Sequence, residues 1–392
     1  MQIDEPAPAV PRGWALWNLG FRPFYLAASF FAALSIALWA CEYAGWLPGS
    51  YMQTPFRHAH EMLFGYTLAV VAGFLLTAAR NWTALPTPTG RTLAAIVALW
   101  IAGRVMVLTP FEVASALVNA AFPWAVAVGI GVPLVKSGNR RNYFFIVLLV
   151  ALGGVELLAH AAELDWIHLP GTWGLQLGLE LVLFIVVVMA GRVVPMFTNN
   201  GVPGAGASRN PVVERVALGS ILALIAADVA GLEGRFLEAL LAIAAIAHLV
   251  RWLLWHPWRT LGTPLVWILH LAYAWVPIYL VLRIFALEGA MAPPWALHAL
   301  TIGVIGGMTI GMMTRTARGH TGRALRADRF EVAMYVLVQL AAVARVFGPL
   351  VAGSAYIATI VTAAVLWASA FGLYTVRYWP VLTRPRADGK PG

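Results

Sequence analysis

The sequence has very little charge and almost no cysteine. Charged residues make up 11% of its 392 positions and hydrophobic residues 61%. A soluble domain is not built with so little charge. A mean hydropathy of +0.79 puts the chain among polytopic membrane proteins. Cys41 is the one cysteine, which excludes an intramolecular disulfide, a cysteine-rich zinc site and a CxxCH haem attachment. Any haem would therefore be held non-covalently. Lysine is nearly missing: Lys136 and Lys390 accompany 24 arginines. The opening MQIDEPAPAVPRGW carries acids and prolines and does not read as a signal peptide, so the first span is expected to act as its own insertion signal. The connections between apolar runs are too short to hold a soluble domain.

What the chain does have is apolar runs of about 17–25 residues, the length of a spanning helix. Twelve are expected, near 24–45, 56–79, 92–109, 112–135, 143–163, 173–197, 213–231, 236–256, 264–287, 295–314, 330–351 and 354–377. Residues 1–392 then form a single all-α polytopic membrane domain. The positive-inside rule sets its orientation. With the N-terminus cytoplasmic, nineteen basic residues fall on that side: Arg12, Arg22, Arg80, Arg91, Lys136, Arg140, Arg141, Arg209, Arg215, Arg259, Arg315, Arg318, Arg323, Arg326, Arg329, Arg377, Arg384, Arg386 and Lys390. Only Arg57 and Arg235 face the other way, and Arg104, Arg192, Arg251, Arg283 and Arg345 lie within spans. Both termini are expected inside, with an even helix count. The formal charge of +9 thus marks a membrane face and does not point to nucleic acid.

This orientation sorts the histidines by depth. His58, His60 and Glu61 open the second span at the outer face, Glu156 and His160 close the fifth there, and His298 opens the tenth. His248 and His270 lie on adjacent spans in the inner half, roughly 12 and 9 Å from their cytoplasmic ends by helical rise. His320 falls in a cytoplasmic loop, within GHTGR. Aligning His60 with His298 also matches Gly65 with Gly303, Gly73 with Gly311 and Arg80 with Arg318. WIAGRVMV around Arg104, LIAADVAG around Asp228 and AAVARVFG around Arg345 resemble one another. Helices 2, 6 and 10, and 3, 7 and 11, are four apart, which points to three four-helix units.

HAHEM, His58 to Met62, is the densest set of potential ligands. Thr54 reads as its helix cap and Pro55 as the first helical position. In a regular helix His58 and His60 point about 200° apart; in an extended entrance they point the same way. Neutral imidazole suits copper and haem iron. A copper site can draw on His58 or His60 with His160 or His298. His248 and His270, or one of them, are candidate axial ligands of a haem b; a hydrogen-bonded pair across helices is the plainer alternative. Arg104, Arg192 and Arg345 can hold haem propionates or pair with buried acids. Glu61 and Glu156 are proton-transfer candidates, and Glu180 and Asp228 can deliver protons or pair with the arginines. Gly303, Gly307 and Gly311 form a stripe on the tenth span, most simply a seat for another helix.

HAHEMLFGY, GFLLTAARNW, GRVVPMFTNN, LHLAYAW and HALTIGVIGGMTIGMMTRTARGHTGR occur in order and together resemble the NnrS family. The resemblance runs from about Phe21 to Arg377. It implies a bacterial inner-membrane protein with haem and copper, linked to nitric oxide metabolism and nitrosative stress. Positions carried over with the motifs are His58, His60, His270, His298 and His320. The helix count and units of four are also similar to the catalytic subunit of haem–copper oxidases and nitric oxide reductases, although helices 6 and 7 lack histidine. The expected activity is reduction of two nitric oxide molecules to nitrous oxide, with electrons from a quinol or a periplasmic redox protein. A haem protein that buffers or senses nitric oxide is the alternative. A twelve-helix transporter, which would show a repeat in sixes, ranks last.

Overall fold

The computed structural model describes residues 13–47, 55–170 and 172–390. Among them the chain forms twelve helical rods and no strand. These are α1 Phe21–Tyr43, α2 Phe56–Thr83, α3 Gly90–Met106, α4 Glu112–Lys136, α5 Phe144–Glu163, α6 Trp173–Gly201, α7 Pro211–Val229, α8 Arg235–Leu253, α9 Pro264–Leu287, α10 Pro293–His320, α11 Arg329–Ala352 and α12 Tyr356–Thr383. Each expected span corresponds to one rod. Ten are long and apolar enough to cross a membrane. The other two are α3, only 17 residues long, and α7, which carries Glu214, Arg215 and Asp228. The expected cap at Thr54 and the charge of Arg12 lie outside the described residues.

Local sequence sets several helix ends. Asn210 caps α7 by accepting from the amides of Val212 and Val213, with Pro211 in the first turn where its missing N–H costs nothing. Asp328 and Glu331 form a capping box at α11. Two expected ends are corrected. α6 does not stop at 197 but continues to Gly201, where Thr198 Oγ1 donates to the Val194 carbonyl and Asn199 holds both the amide and the carbonyl of Ala207. His320 is not in a loop: it is the last residue of α10.

The most buried rods are α2 and α10, followed by α9 and α6. α2 packs against α1, α3, α4 and α6; α6 against α5, α7, α9 and α10; α10 against α1, α9, α11 and α12. The Tyr66 hydroxyl meets Thr309 Oγ1 and joins α2 to α10. Of their most apolar stretches, 83% is buried in α2, 72% in α10, 67% in α9 and 61% in α6, against 33% in α12. Outward-facing Val128, Val147, Phe236 and Val376 stay exposed, as expected of side chains that meet lipid. The ring closes where α12 packs on α1. At that end Arg22 donates to the carbonyls of Leu382 and Arg384, and the Ala15 amide donates to Thr383. Both described chain ends therefore lie at one arginine-rich end of the bundle.

The inner rods α2 and α10 share an irregularity. In α2 a π-helical stretch, Glu61–Thr67, begins directly after His60; in α10 another, Ala299–Gly306, begins directly after His298. A π-turn adds a residue and re-aims the side chains beyond it, so extrapolation at 100° per residue fails across 299–306. The glycine stripe still does what its spacing predicts. A Cβ at Gly303 would come within 2.4 Å of Trp275, at Gly307 within 2.7 Å of Ala272 and at Gly311 within 2.8 Å of Leu269. These glycines let α9 approach α10 closely.

Candidate metal centre

Residues 56–60 of α2 are regular α-helix, so His58 and His60 point apart. His58 turns to α1 and stacks on Trp39, with ring centroids 4.3 Å apart. His60 turns to α5, where Glu156 and His160, four residues apart, share a face. The four outer histidines therefore divide. His60 joins His160, while His58 lies on the side of His298 and Arg345.

His60 Nε2 is 3.1 Å from His160 Nε2 and 3.5 Å from Glu156 Oε1. The three potential ligand atoms lie within 4.8 Å of one another. His60 and Glu156 are each only 1% exposed. On its other side, His60 Nδ1 faces Glu61 Oε1 at 2.9 Å. An ionised carboxylate only accepts, so Glu61 holds the His60 proton on Nδ1 and leaves Nε2 as a lone pair. That lone pair converges with His160 and with a carboxylate whose second oxygen, Glu156 Oε2, is buried without a partner. Two imidazole nitrogens bound to one metal at about 2.0–2.1 Å in tetrahedral geometry stand roughly 3.3 Å apart. The observed spacing fits a single metal ion between them.

A second layer fixes Glu61. Its Oε1 also accepts from Arg104 Nη1 at 2.5 Å. Arg104 Nη2 donates to Asn119 Oδ1, and Asn119 donates to the Ser115 carbonyl at 2.9 Å. The guanidinium reaches Glu61 because Gly65 leaves room, since a Cβ there would come within 2.5 Å of Arg104 Nη1. Arg104 and Glu61 cancel in charge. The two imidazoles and Glu156 then present two neutral nitrogens and one anionic oxygen, a donor set suited to a transition metal.

The other candidates lie elsewhere. His298 Nδ1 donates to the Pro294 carbonyl at 2.5 Å, which leaves its Nε2 as the open nitrogen. His58 Nδ1 and Arg345 Nη1 are buried without a hydrogen-bond partner. The inner histidines do not form a facing pair. His248 Nδ1 meets the Tyr273 hydroxyl at 2.6 Å, and His270 Nε2 meets Thr198 Oγ1 at 2.8 Å; the indole of Trp255 packs on both Tyr273 and His270. Arg104 is engaged by Glu61 and Asn119, as a buried cation must be, and is not held free for a propionate. Arg192 donates to Asn142 Oδ1 at 2.6 Å and lies over Phe144 and Phe145, at the arginine-rich end and away from His60. His320 packs on Phe21 there, with Arg386 donating to its carbonyl. Arg283 pairs with Asp228 and Glu180, one of the alternatives the sequence left open.

Sequence reasoning missed Asn119. Its only signal was a lone amide in the apolar run EVASALVNAAF. It also missed Glu214, which holds Arg251 through two contacts at 2.9 and 2.7 Å. Among curated proteins none matches the chain. A family model described as NnrS protein matches residues 15–386, nearly the whole chain, and the chain belongs to the NnrS family.

Proposed function

We propose that this protein is a membrane metalloprotein of nitric oxide metabolism whose metal centre is His60, Glu156 and His160. The observation that carries the reading is the convergence of two imidazole nitrogens and a buried carboxylate, backed by the Glu61–Arg104–Asn119 layer. Its setting is a chain of twelve spans with both termini cytoplasmic, in the bacterial inner membrane. Three four-helix units, with α2, α6 and α10 as inner rods, give an arrangement similar to the haem–copper oxidases; the metal ligands themselves come from α2 and α5. The donor set suits copper. Bound there, copper supplies a redox-active Lewis acid for nitric oxide.

For a haem b, the useful residues are those with open atoms. His58, His298 and Arg345 combine open imidazole nitrogens with a guanidinium whose Nη1 is buried without a partner, the donors needed for an axial bond and a propionate. The rings of His248 and His270 are each already held by a hydroxyl. His248 Nε2 and His270 Nδ1 are also open, but the guanidinium near His248, that of Arg251, is held by Glu214, the Val187 carbonyl and Tyr273.

The reaction takes two nitric oxide molecules, two electrons and two protons to nitrous oxide and water. Nitric oxide is apolar and enters through lipid. Glu156, with one oxygen unpartnered, is placed to hold a proton beside the centre, and Glu61 keeps the His60 proton on Nδ1. The electron donor is a quinol or a periplasmic redox protein. The test is an optical difference spectrum of the purified, reduced protein with nitric oxide, followed by nitrous oxide analysis with excess reductant. A shifted spectrum with nitrous oxide formed supports reduction, and a shifted spectrum without turnover supports a buffering or sensing protein. No spectral change in a folded, metal-loaded protein would end the reading.

A further inference from the structure

A second buried cluster lies on the far side of α6. Gly178 of α6 faces α2, where a Cβ would meet Phe64 at 3.0 Å. Glu180, two residues on, points to the opposite side, towards α7 and α9. Its Oε1 accepts from Gln176 at 3.0 Å and lies 3.7 Å from Arg283 Nη1. The other nitrogen of Arg283 donates to Asp228 on α7. The carboxyls of Glu180 and Asp228 lie side by side, and Tyr279 of α9 contacts the same guanidinium. Glu180 is 3% exposed, and its Oε2, like Asp228 Oδ2, is buried without a partner. Both acids line a cleft of about 270 Å³ that opens beside Thr172 and Trp173, at the end away from the arginines.

The charges do not balance if both acids are ionised. Among the described residues their ion pairs are with Arg283 alone. Of the other arginines at this end, Arg235 is taken by Glu238 and Glu288, and Arg57 lies near Glu163. One guanidinium neutralises one carboxylate, and two adjacent carboxylates cannot both stay ionised in a poorly solvated site. A proton bridging the pair satisfies an open oxygen and restores neutrality. The sequence repeat gives the cluster a context. Asp228 stands in LIAADVAG where α3 has Arg104 and α11 has Arg345. In the first unit that position supplies a cation to an acid on the inner helix, Glu61. In the middle unit it supplies an acid beside an acid, Glu180.

We propose that Glu180 and Asp228 form a proton-binding carboxyl pair, held by Arg283 and open to the face opposite the arginine-rich end. The ligand is a single proton, exchanged with water in the cleft. Proton binding by the pair stands independently of the metal centre. Its use as the port for a proton-consuming reaction rests on the function proposed above.

The test is infrared spectroscopy of the purified full-length protein at neutral pH in H2O and D2O, reading the carbonyl stretch of protonated carboxylic acids. The expected result is one deuterium-sensitive acid band that is lost in both Glu180→Gln and Asp228→Asn and retained in H60A/H160A. Two variants are used so that misfolding of one leaves the other to decide. A band that survives in both would overturn the proposal, as would its absence from the wild type. Loss of the wild-type band on adding sodium would assign the pair to a metal cation and also overturn it. Because H60A/H160A removes the metal centre, failure of that centre and failure of the carboxyl pair give different results.

Discussion

Glu61→Gln separates ligand positioning from ligation. Glu61 touches no metal position. It holds His60 Nδ1 at 2.9 Å and Arg104 Nη1 at 2.5 Å through one buried oxygen. Glutamine keeps the shape and removes the charge that fixes the His60 tautomer. Losing such an outer partner weakens metal binding about 10–100-fold, or about 1.4–2.8 kcal/mol. The same change leaves Arg104 buried without a carboxylate. Breaking a buried pair costs about 3–5 kcal/mol of stability, and Asn119, which still accepts from Nη2, brings the expected loss to the lower end. A second substitution distinguishes the two effects. In E61Q/R104M the orphaned cation is gone, so stability should return while copper affinity stays weak. The assay is copper titration in detergent against a competing chelator, paired with thermal unfolding. Wild-type copper affinity in folded E61Q would refute the reasoning. So would a double variant that regains affinity together with stability.

Three further outcomes follow from packing. Arg251→Met removes the cation held by Glu214, the Val187 carbonyl and the Tyr273 hydroxyl; it should cost about 3–5 kcal/mol, read as a large fall in the unfolding midpoint. Gly303→Val puts a side chain where a Cβ already meets Trp275 at 2.4 Å; overpacking of about 1–3 kcal/mol or more is expected, and an unchanged midpoint would mean that α9 and α10 are not in close contact. Tyr66→Phe deletes the hydroxyl that joins α2 to α10 at Thr309; about 1 kcal/mol should be lost with metal content unchanged.

The helices were legible in the sequence because span length and apolarity are composition-level signals, and each expected run corresponds to a rod. The seat of the glycine stripe was legible for the same reason: Gly303, Gly307 and Gly311 recur at helical spacing and meet Trp275, Ala272 and Leu269. Depth could also be read, which put His58, His60, His160 and His298 at one level. Which of them meet depends on azimuth, and depth does not carry it. His60 meets His160 while His58 turns to Trp39, because the segment before Glu61 is regular helix. The π-turns after His60 and His298 had no recognisable signature, and they shift the facing of the residues beyond them relative to those two histidines. His248 and His270 seemed close because they share a depth on adjacent helices. Each ring is instead turned to a hydroxyl, His248 to Tyr273 and His270 to Thr198. Side chains that only support others, such as Asn119, carry no pattern of their own.

The central claim is that one metal ion is held by His60, Glu156 and His160. Elemental analysis combined with X-ray absorption at the copper edge tests it most directly, on wild-type protein and on H60A, H160A and H58A. The account predicts a copper site with two imidazole nitrogens and one carboxylate oxygen, lost in H60A and H160A and kept in H58A. Undiminished copper with unchanged imidazole ligation in folded H60A and H160A would contradict it.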